Sequence, residues 1–252
     1  MSDWALVLGA SSGFGAATAR ELARAGYNIA GVHMDRRETM PLAQQVIDDI
    51  RALNREALFF NANAADAEQR ATVINALAGQ TVQILFHSLA FGSLKPMVGP
   101  EAATQRQIEM TADVMGHSLI YWARDLVNSG LMHQGGRIFA MTSEGGTRAI
   151  PQYGPVSAAK AVLEAHIRQL AVELAPFGIT ANALLAGTTD TPALRKIPGH
   201  ERLLEYALAR NPYKRLTTPQ DIARAVVTFV SPNTAWITGN TIRVDGGEGI
   251  AG

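Results

Sequence analysis

Seven short runs rich in apolar and β-branched residues recur along the chain: WALVL, YNIAGV, EALFF, VQILFHS, GRIFAM, ITANALL and NTIRV. Longer stretches with helical spacing of their apolar residues separate them. Runs of this kind suit strands buried on both faces, and a helix after each strand returns the chain to the same end of the sheet, so the strands must pair in parallel. The helices are expected to begin near Gly15, Pro41, Asp66, Glu101, Pro155 and Pro219. Pro155 and Pro219 fit a first helical turn, where a missing N–H costs nothing, and Thr218 with Asp221 approximates a capping box. The pattern predicts an α/β chain with one domain over residues 1–252: a Rossmann-like, doubly wound, parallel seven-stranded sheet flanked by helices. Residues 188–217 are too long for a plain connection and carry helical spacing from His200 to Arg210. They read as an excursion that binds substrate.

With 252 residues, 47% of them hydrophobic, the chain can bury one sizeable core. Its 22 basic and 22 acidic residues cancel, so no overall field draws in a polyanion and no nucleic-acid partner is expected. The absence of Cys excludes disulfides, thiolate catalysis and Cys-ligated metals. None of the six His pairs at a ligand-like spacing, and metal catalysis is not expected. No segment approaches the roughly 20 apolar residues of a membrane span. The first apolar run begins at Trp4, which leaves no room for a cleavable leader. A cytoplasmic protein with no membrane association is expected.

GASSGFG follows the first predicted strand and opens the first helix. Gly9, Gly13 and Gly15 stand where a backbone turns tightly and approaches a pyrophosphate, with Ser11, Ser12 and Phe14 in the same loop and the N–H groups of the helix start facing the negative charge. Three glycines alone also fit an ordinary turn; the strand before and the helix after favour a dinucleotide loop.

The Gly-x3-Gly-x-Gly spacing resembles the short-chain dehydrogenase/reductase family, and the resemblance covers essentially the whole chain. Family members that use NAD often carry an Asp at the end of the second strand. Here that slot is His33, with Arg36 and Arg37 close behind to meet a 2′-phosphate, so the resemblance implies NADPH, with NADH left possible. Asn63 and Ala64 map onto the segment that contacts adenine. HSLAFG, from His87 to Gly92, replaces the usual Asn-containing turn, placing Ser88, Leu89 and Ala90 beside the cofactor and His87 near the nicotinamide. Gly187, Thr188 and Thr191 in AGTTDT map onto the nicotinamide end, with Ile150 and Ala186 in the floor beneath.

In most of the family the catalytic Tyr precedes its Lys by four residues. Here Tyr153 and Lys160 are seven apart and Val156 fills the usual slot. Seven residues still return to the same helix face, but about 10 Å along the axis instead of about 6 Å. In ketone reduction the proton donor touches the oxygen on the carbon that receives hydride. In enoyl thioester reduction hydride goes to the β-carbon, and the donor must reach enolate charge on the thioester oxygen. A displaced Tyr suits the second reaction. Tyr-x6-Lys, HSLAF, AG after the sixth strand, RAIPQY and KAVLEA together resemble bacterial enoyl-acyl-carrier-protein reductases of fatty-acid synthesis. That resemblance implies that Tyr153 polarises the thioester carbonyl while Lys160 holds the nicotinamide ribose and lowers the phenol's proton affinity.

Ser143, in MTSEGG, occupies the place of the family's catalytic Ser, with Thr142 as its neighbouring substitute. Many enoyl reductases of this type have a second Tyr there. Ser143 therefore keeps open reduction of a β-ketoacyl or steroid-like ketone, and a cofactor-sensing protein without catalysis is a third reading. Asp113 stands where an Asn supports Lys through water. Arg195, Lys196, Arg202, Arg210, Lys214 and Arg215 in the excursion offer a docking patch for an acidic acyl-carrier protein, the expected carrier of the acyl thioester. Leu194, Ile197, Leu203, Leu204, Tyr206 and Leu208 offer an apolar wall for the acyl chain. The tail NTIRVDGGEGIAG resembles the family's last strand, which implies a homotetramer.

Overall fold

The computed structural model describes residues 3–251. The strands are β1 (Trp4–Leu8), β2 (Asn28–His33), β3 (Ala57–Asn61), β4 (Val82–His87), β5 (Arg137–Thr142), β6 (Thr180–Ala186) and β7 (Thr241–Val244). The helices are α1 (Gly13–Arg24), α2 (Met40–Ala52), α3 (Ala67–Ala76), α4 (Gln105–Ala112), α5 (Ser118–Asn128), α6 (Gly154–Glu173), α7 (His200–Arg210) and α8 (Pro219–Val230). The seven strands form one parallel sheet in the order β3-β2-β1-β4-β5-β6-β7. The order reverses between β1 and β4, and the crevice beyond the carboxyl ends of those strands is where such a sheet binds a ligand.

Alternation along the strands sorts the core into two layers. Leu6, Leu8, Leu85, Ile138 and Ala140 pack with Leu119 and Trp122 of α5 and Leu163 and Ile167 of α6. Ala5, Val7, Phe86 and Phe139 face the other way, onto Ala19 and Leu22 of α1 and Ile222 and Val226 of α8. The same alternation sends His87 and Thr142 to the α5/α6 side.

α7 spans the His200–Arg210 stretch read from spacing. At α8, Thr218 accepts from the Asp221 N–H while Asp221 accepts from the Thr218 N–H, a full capping box. The expected start at Glu101 is displaced. Glu101 lies in a turn, and α4 begins at Gln105 because Thr104 and Gln107 form a second capping box. The stretch expected to hold one helix contains two, joined by a π-helical turn over Asp113–His117. That turn runs against α6: a Cβ on Gly116 would come within 3.0 Å of the Ala159 carbonyl oxygen. Among the described residues no helix is long and apolar enough to cross a membrane.

Candidate active site

The Gly-rich loop carries the nucleotide end. Gly9 has φ +86°, and a side chain there would collide with the carbonyl of Ser88; one on Gly15 would collide with the carbonyl of Gly9. The turn is therefore closed to anything but glycine at both positions. Ser12 is the N-cap of α1 and makes no side-chain cap bond, and the first turn carries no acidic residue. The N–H groups of that turn keep their capacity for an anion. Gly13, at φ +53°, meets only the Thr191 side chain at 3.8 Å, so the loop and the segment after β6 flank a gap that a Cβ would narrow. These features fit the pyrophosphate of a nicotinamide dinucleotide.

At the end of β2 the expected ribose slot holds a paired residue. His33 is buried, and its Nδ1 lies 2.9 Å from Oδ2 of Asp35. Burial pushes the Asp35 carboxyl up, but hydrogen bonds from Ser11, Thr39 and His33 outweigh it and hold the group below the usual carboxylate range. Asn61 braces the same residue by accepting its N–H and donating to its carbonyl. A carboxylate does stand beside the Gly-rich loop, two residues beyond the slot where counting along the strand looks for it. Arg36 and Arg37 are exposed, and the Arg36 carbonyl caps the N–H groups of Thr39 and Met40.

Other expected cofactor residues divide into those at the crevice and those used elsewhere. Ser88 donates its N–H to Leu8, and Ala90 is exposed. Leu89 packs against the core. Asn63 Oδ1 accepts from the Ala65 N–H, and the Ala64 carbonyl accepts from Trp122 Nε1, so both residues shape the turn after β3. Thr188 gives both its N–H and its hydroxyl to Glu248. Gly187 is pressed between Thr217 and Glu248. His87 is wholly buried beneath the cleft and does not reach the nicotinamide side. Its Nε2–H donates to Ser118 Oγ, which itself donates to the Val114 carbonyl.

Tyr153 and Ser143 meet, and Lys160 is anchored to β5 two residues before Ser143. β5 ends at Thr142, and Ser143 Oγ accepts from the Gly145 N–H. Tyr153 is the N-cap of α6, and its hydroxyl donates to Ser143 Oγ at 3.5 Å. Burial pushes the phenol pKa up, and the bond to Ser143 opposes that shift, so Tyr153 stays protonated at neutral pH. Lys160 is buried, and its Nζ donates to the Met141 carbonyl at 2.7 Å. Burial pushes its pKa down to about 8 against the pull of Glu164. Thr142 is no substitute for Ser143, because its hydroxyl goes to Glu164 at 2.6 Å. Asp113 accepts from the Tyr121 hydroxyl and is not brought to Lys160.

Around the cleft Phe91 and Met97 are exposed, and Met97 packs against Gly154 beside Tyr153. Within α7 only Ala207 is buried, which leaves Tyr206 and Leu208 uncovered. The basic patch is weaker than the sequence implies. Arg195 is tied to Asp190 and Arg215 to Asp221, each by two bonds; Lys214 bonds the Ala209 carbonyl, and Arg210 lies over the Tyr206 ring. Asp35, Glu164 and Glu248 are the functional candidates that sequence reasoning missed. Only Glu164, four residues after Lys160 on one helix, left a periodic sign.

Sheet order, glycine loop and Tyr–Lys–Ser cluster define an NAD(P)-dependent reductase of the short-chain dehydrogenase/reductase class. The model of the family described as Enoyl-(Acyl carrier protein) reductase matches residues 9–248, and the chain belongs to that family. It is 28% identical to the 1-cyclohexenylcarbonyl-CoA reductase of Streptomyces collinus over 97% of this chain and 86% of that one. It is 30% identical to the NADH-dependent enoyl-[acyl-carrier-protein] reductase FabI of Nostoc sp., over 93% and 90% of the two chains. A solved structure of the angucycline C-6 ketoreductase LanV with bound NADP superposes with a TM-score of 0.84 at 25% identity, covering 98% of this chain and 95% of that one.

Proposed function

We propose that the protein reduces the C2=C3 double bond of 2-enoyl thioesters, with the acyl group on an acyl-carrier protein in fatty-acid synthesis. The observation that carries this reading is the place of Tyr153 at the N-cap of α6, seven residues before Lys160. The dinucleotide supplies hydride to the β-carbon when it is bound. Tyr153 donates a hydrogen bond to the thioester oxygen, where negative charge gathers as hydride arrives, and its proton neutralises that charge. Lys160, charged and buried next to it, lowers the phenol's proton affinity and holds ribose hydroxyls. Ser143 adds a second donor. The apolar side chains of Phe91, Met97, Tyr206 and Leu208 keep water from the acyl chain. The Streptomyces relative supports the reaction class, since its name describes reduction of an unsaturated acyl thioester.

The cofactor in this proposal is NADH. A ribose 2′-hydroxyl can donate to the Asp35 carboxylate, whereas a 2′-phosphate would meet its charge. Arg36 and Arg37 support NADPH on sequence, but Asp35 is the group that accepts from Ser11 of the Gly-rich loop. For the carrier, exposed Lys196 and Arg202 are the cations of the excursion that remain to meet an acidic surface. A homotetramer belongs to the same reading, with β7 at the open edge of the sheet.

One observation favours a second reading. The Tyr153–Ser143 contact places two hydroxyls where a ketone oxygen could accept from both. The test follows oxidation of NADH and NADPH in parallel with a 2-enoyl and a 3-ketoacyl thioester. Turnover of the enoyl substrate with NADH is expected; turnover of the ketone alone overturns the assignment.

A further inference from the structure

Beneath Tyr153 and Lys160 lies a layer of polar side chains shut off from water. Thr142, Lys160 and Glu164 are each less than 9% exposed, and His87 and Ser118 are fully buried. The carboxyl ends of β4 and β5 supply His87 and Thr142 on the face that packs against α5 and α6. α6 supplies Lys160 and, one turn later on the same side, Glu164. Two neighbouring residues of β5 anchor the pair. The Met141 carbonyl accepts from Lys160 Nζ at 2.7 Å, and the Thr142 hydroxyl donates to Glu164 Oε1 at 2.6 Å. Gly146 closes over the carboxylate, since a Cβ there would lie 2.9 Å from Oε1. A carboxylate in such a place needs compensating charge. The charge at hand is the Lys160 ammonium, whose pKa Glu164 draws upward while burial draws it down.

We propose that Glu164 is the counter-ion of the Lys160 ammonium, a positioning residue held in place by the Thr142 hydroxyl, and that it keeps on Lys160 the charge that Tyr153 uses. This rests on the reading of Tyr153 and Lys160 as the reactive pair, and not on which substrate they reduce.

The other titratable and hydroxyl groups on the elements that pack with α6 leave Glu164 in that role. His87, from β4, is a neutral base: burial and the charge of Lys160 push its pKa down to about 3, and its Nδ1 has no hydrogen-bond partner among the described residues. Ser143 and Tyr153 are hydroxyls bonded to each other. Asp113, from the π-helical turn, is taken by Tyr121. Glu144, beyond β5, pairs with Arg148 and Arg243.

The test uses Glu164→Gln, which keeps an acceptor for Thr142 and removes the charge. The chain has four lysines, so ¹³Cε resonances can be titrated in the cofactor-free protein and Lys160 identified by its loss in Lys160→Met. A Lys160 midpoint near 8 in the parent protein is expected. In Glu164→Gln it should fall by about one unit or more, a tenfold change in proton affinity. The basic limb of kcat/KM should move by the same amount, with activity near pH 6 held within about twofold. Thr142→Val, which keeps the charge and frees the carboxylate, should lower the midpoint by less, and it carries the test if Glu164→Gln does not fold. A midpoint that stays put in the folded variants, with activity lowered equally at every pH, overturns the proposal. Because the titration needs no substrate, failure of the enoyl assignment leaves its outcome readable.

Discussion

The hydroxyl of Tyr153 donates to Ser143 Oγ at 3.5 Å, joining the start of α6 to the end of β5 across the mouth of the cleft. A contact this long is a weak hydrogen bond, so the two groups are free to accept a substrate oxygen between them. Tyr153→Phe should lower kcat by about 10²- to 10⁴-fold, the range for losing a positioned acid. Cofactor affinity, read by NADH fluorescence, should stay within about twofold. Ser143→Ala separates the two reactions. An enoyl reductase should lose less than about tenfold, whereas a ketone reductase should lose about 10²-fold or more, as for a missing oxyanion donor.

Asp35 offers a switch of cofactor. Asp35→Ala should weaken kcat/KM for NADH by about tenfold, roughly the worth of one charge-assisted hydrogen bond. The same change should improve use of NADPH, because Arg36 and Arg37 then face a 2′-phosphate with no carboxylate between them. Parallel kinetics with the two cofactors read this directly, and an unchanged preference would place Asp35 outside the ribose site.

Gly13 separates folding from binding. An alanine at φ +53° costs about 1–2 kcal/mol in backbone strain, and its Cβ meets nothing nearer than Thr191 at 3.8 Å. Gly13→Ala should therefore fold, with a modest loss in urea denaturation, yet bind cofactor about tenfold or more weakly because the methyl enters the phosphate gap. Equal losses in stability and affinity would contradict that placement.

His87 makes the fold acid-sensitive. Its folded pKa of about 3 lies below its ordinary 6.5, so the unfolded chain binds the extra proton first. Its contribution to stability is full above pH 6.5 and is lost progressively as pH falls towards 3. His87→Gln should flatten the dependence of the urea midpoint on pH between 6.5 and 4, whatever it does at pH 7.

Most of the sheet was legible because parallel core strands demand continuous apolar runs, and each observed strand lies within a residue of its run. Helix starts were legible where a side chain does the capping. Thr218 and Asp221 mark α8, and Thr104 with Gln107 carries the same signal three residues beyond the expected start at Glu101. The π-helical turn had no mark beyond Gly116, whose smallness reflects contact with α6. At the site, Tyr153, Lys160 and Ser143 are expected from the family resemblance, and the structure bonds Tyr153 to Ser143. Asp35 was hidden because its carboxylate reaches the Gly-rich loop from outside the strand slot. Glu248 was hidden because its partner Thr188 is 60 residues away, a separation with no periodic trace.

That last bond ties the segment after β7 to the segment after β6. Asp245 secures its own turn by accepting from the N–H groups of Gly247 and Gly249, and Glu248 then grips Thr188 just after β6. Loosening the Asp245–Gly249 turn would free Thr188 without touching the sheet, so a substitution at Glu248 acts on the segment after β6 from a distance in sequence.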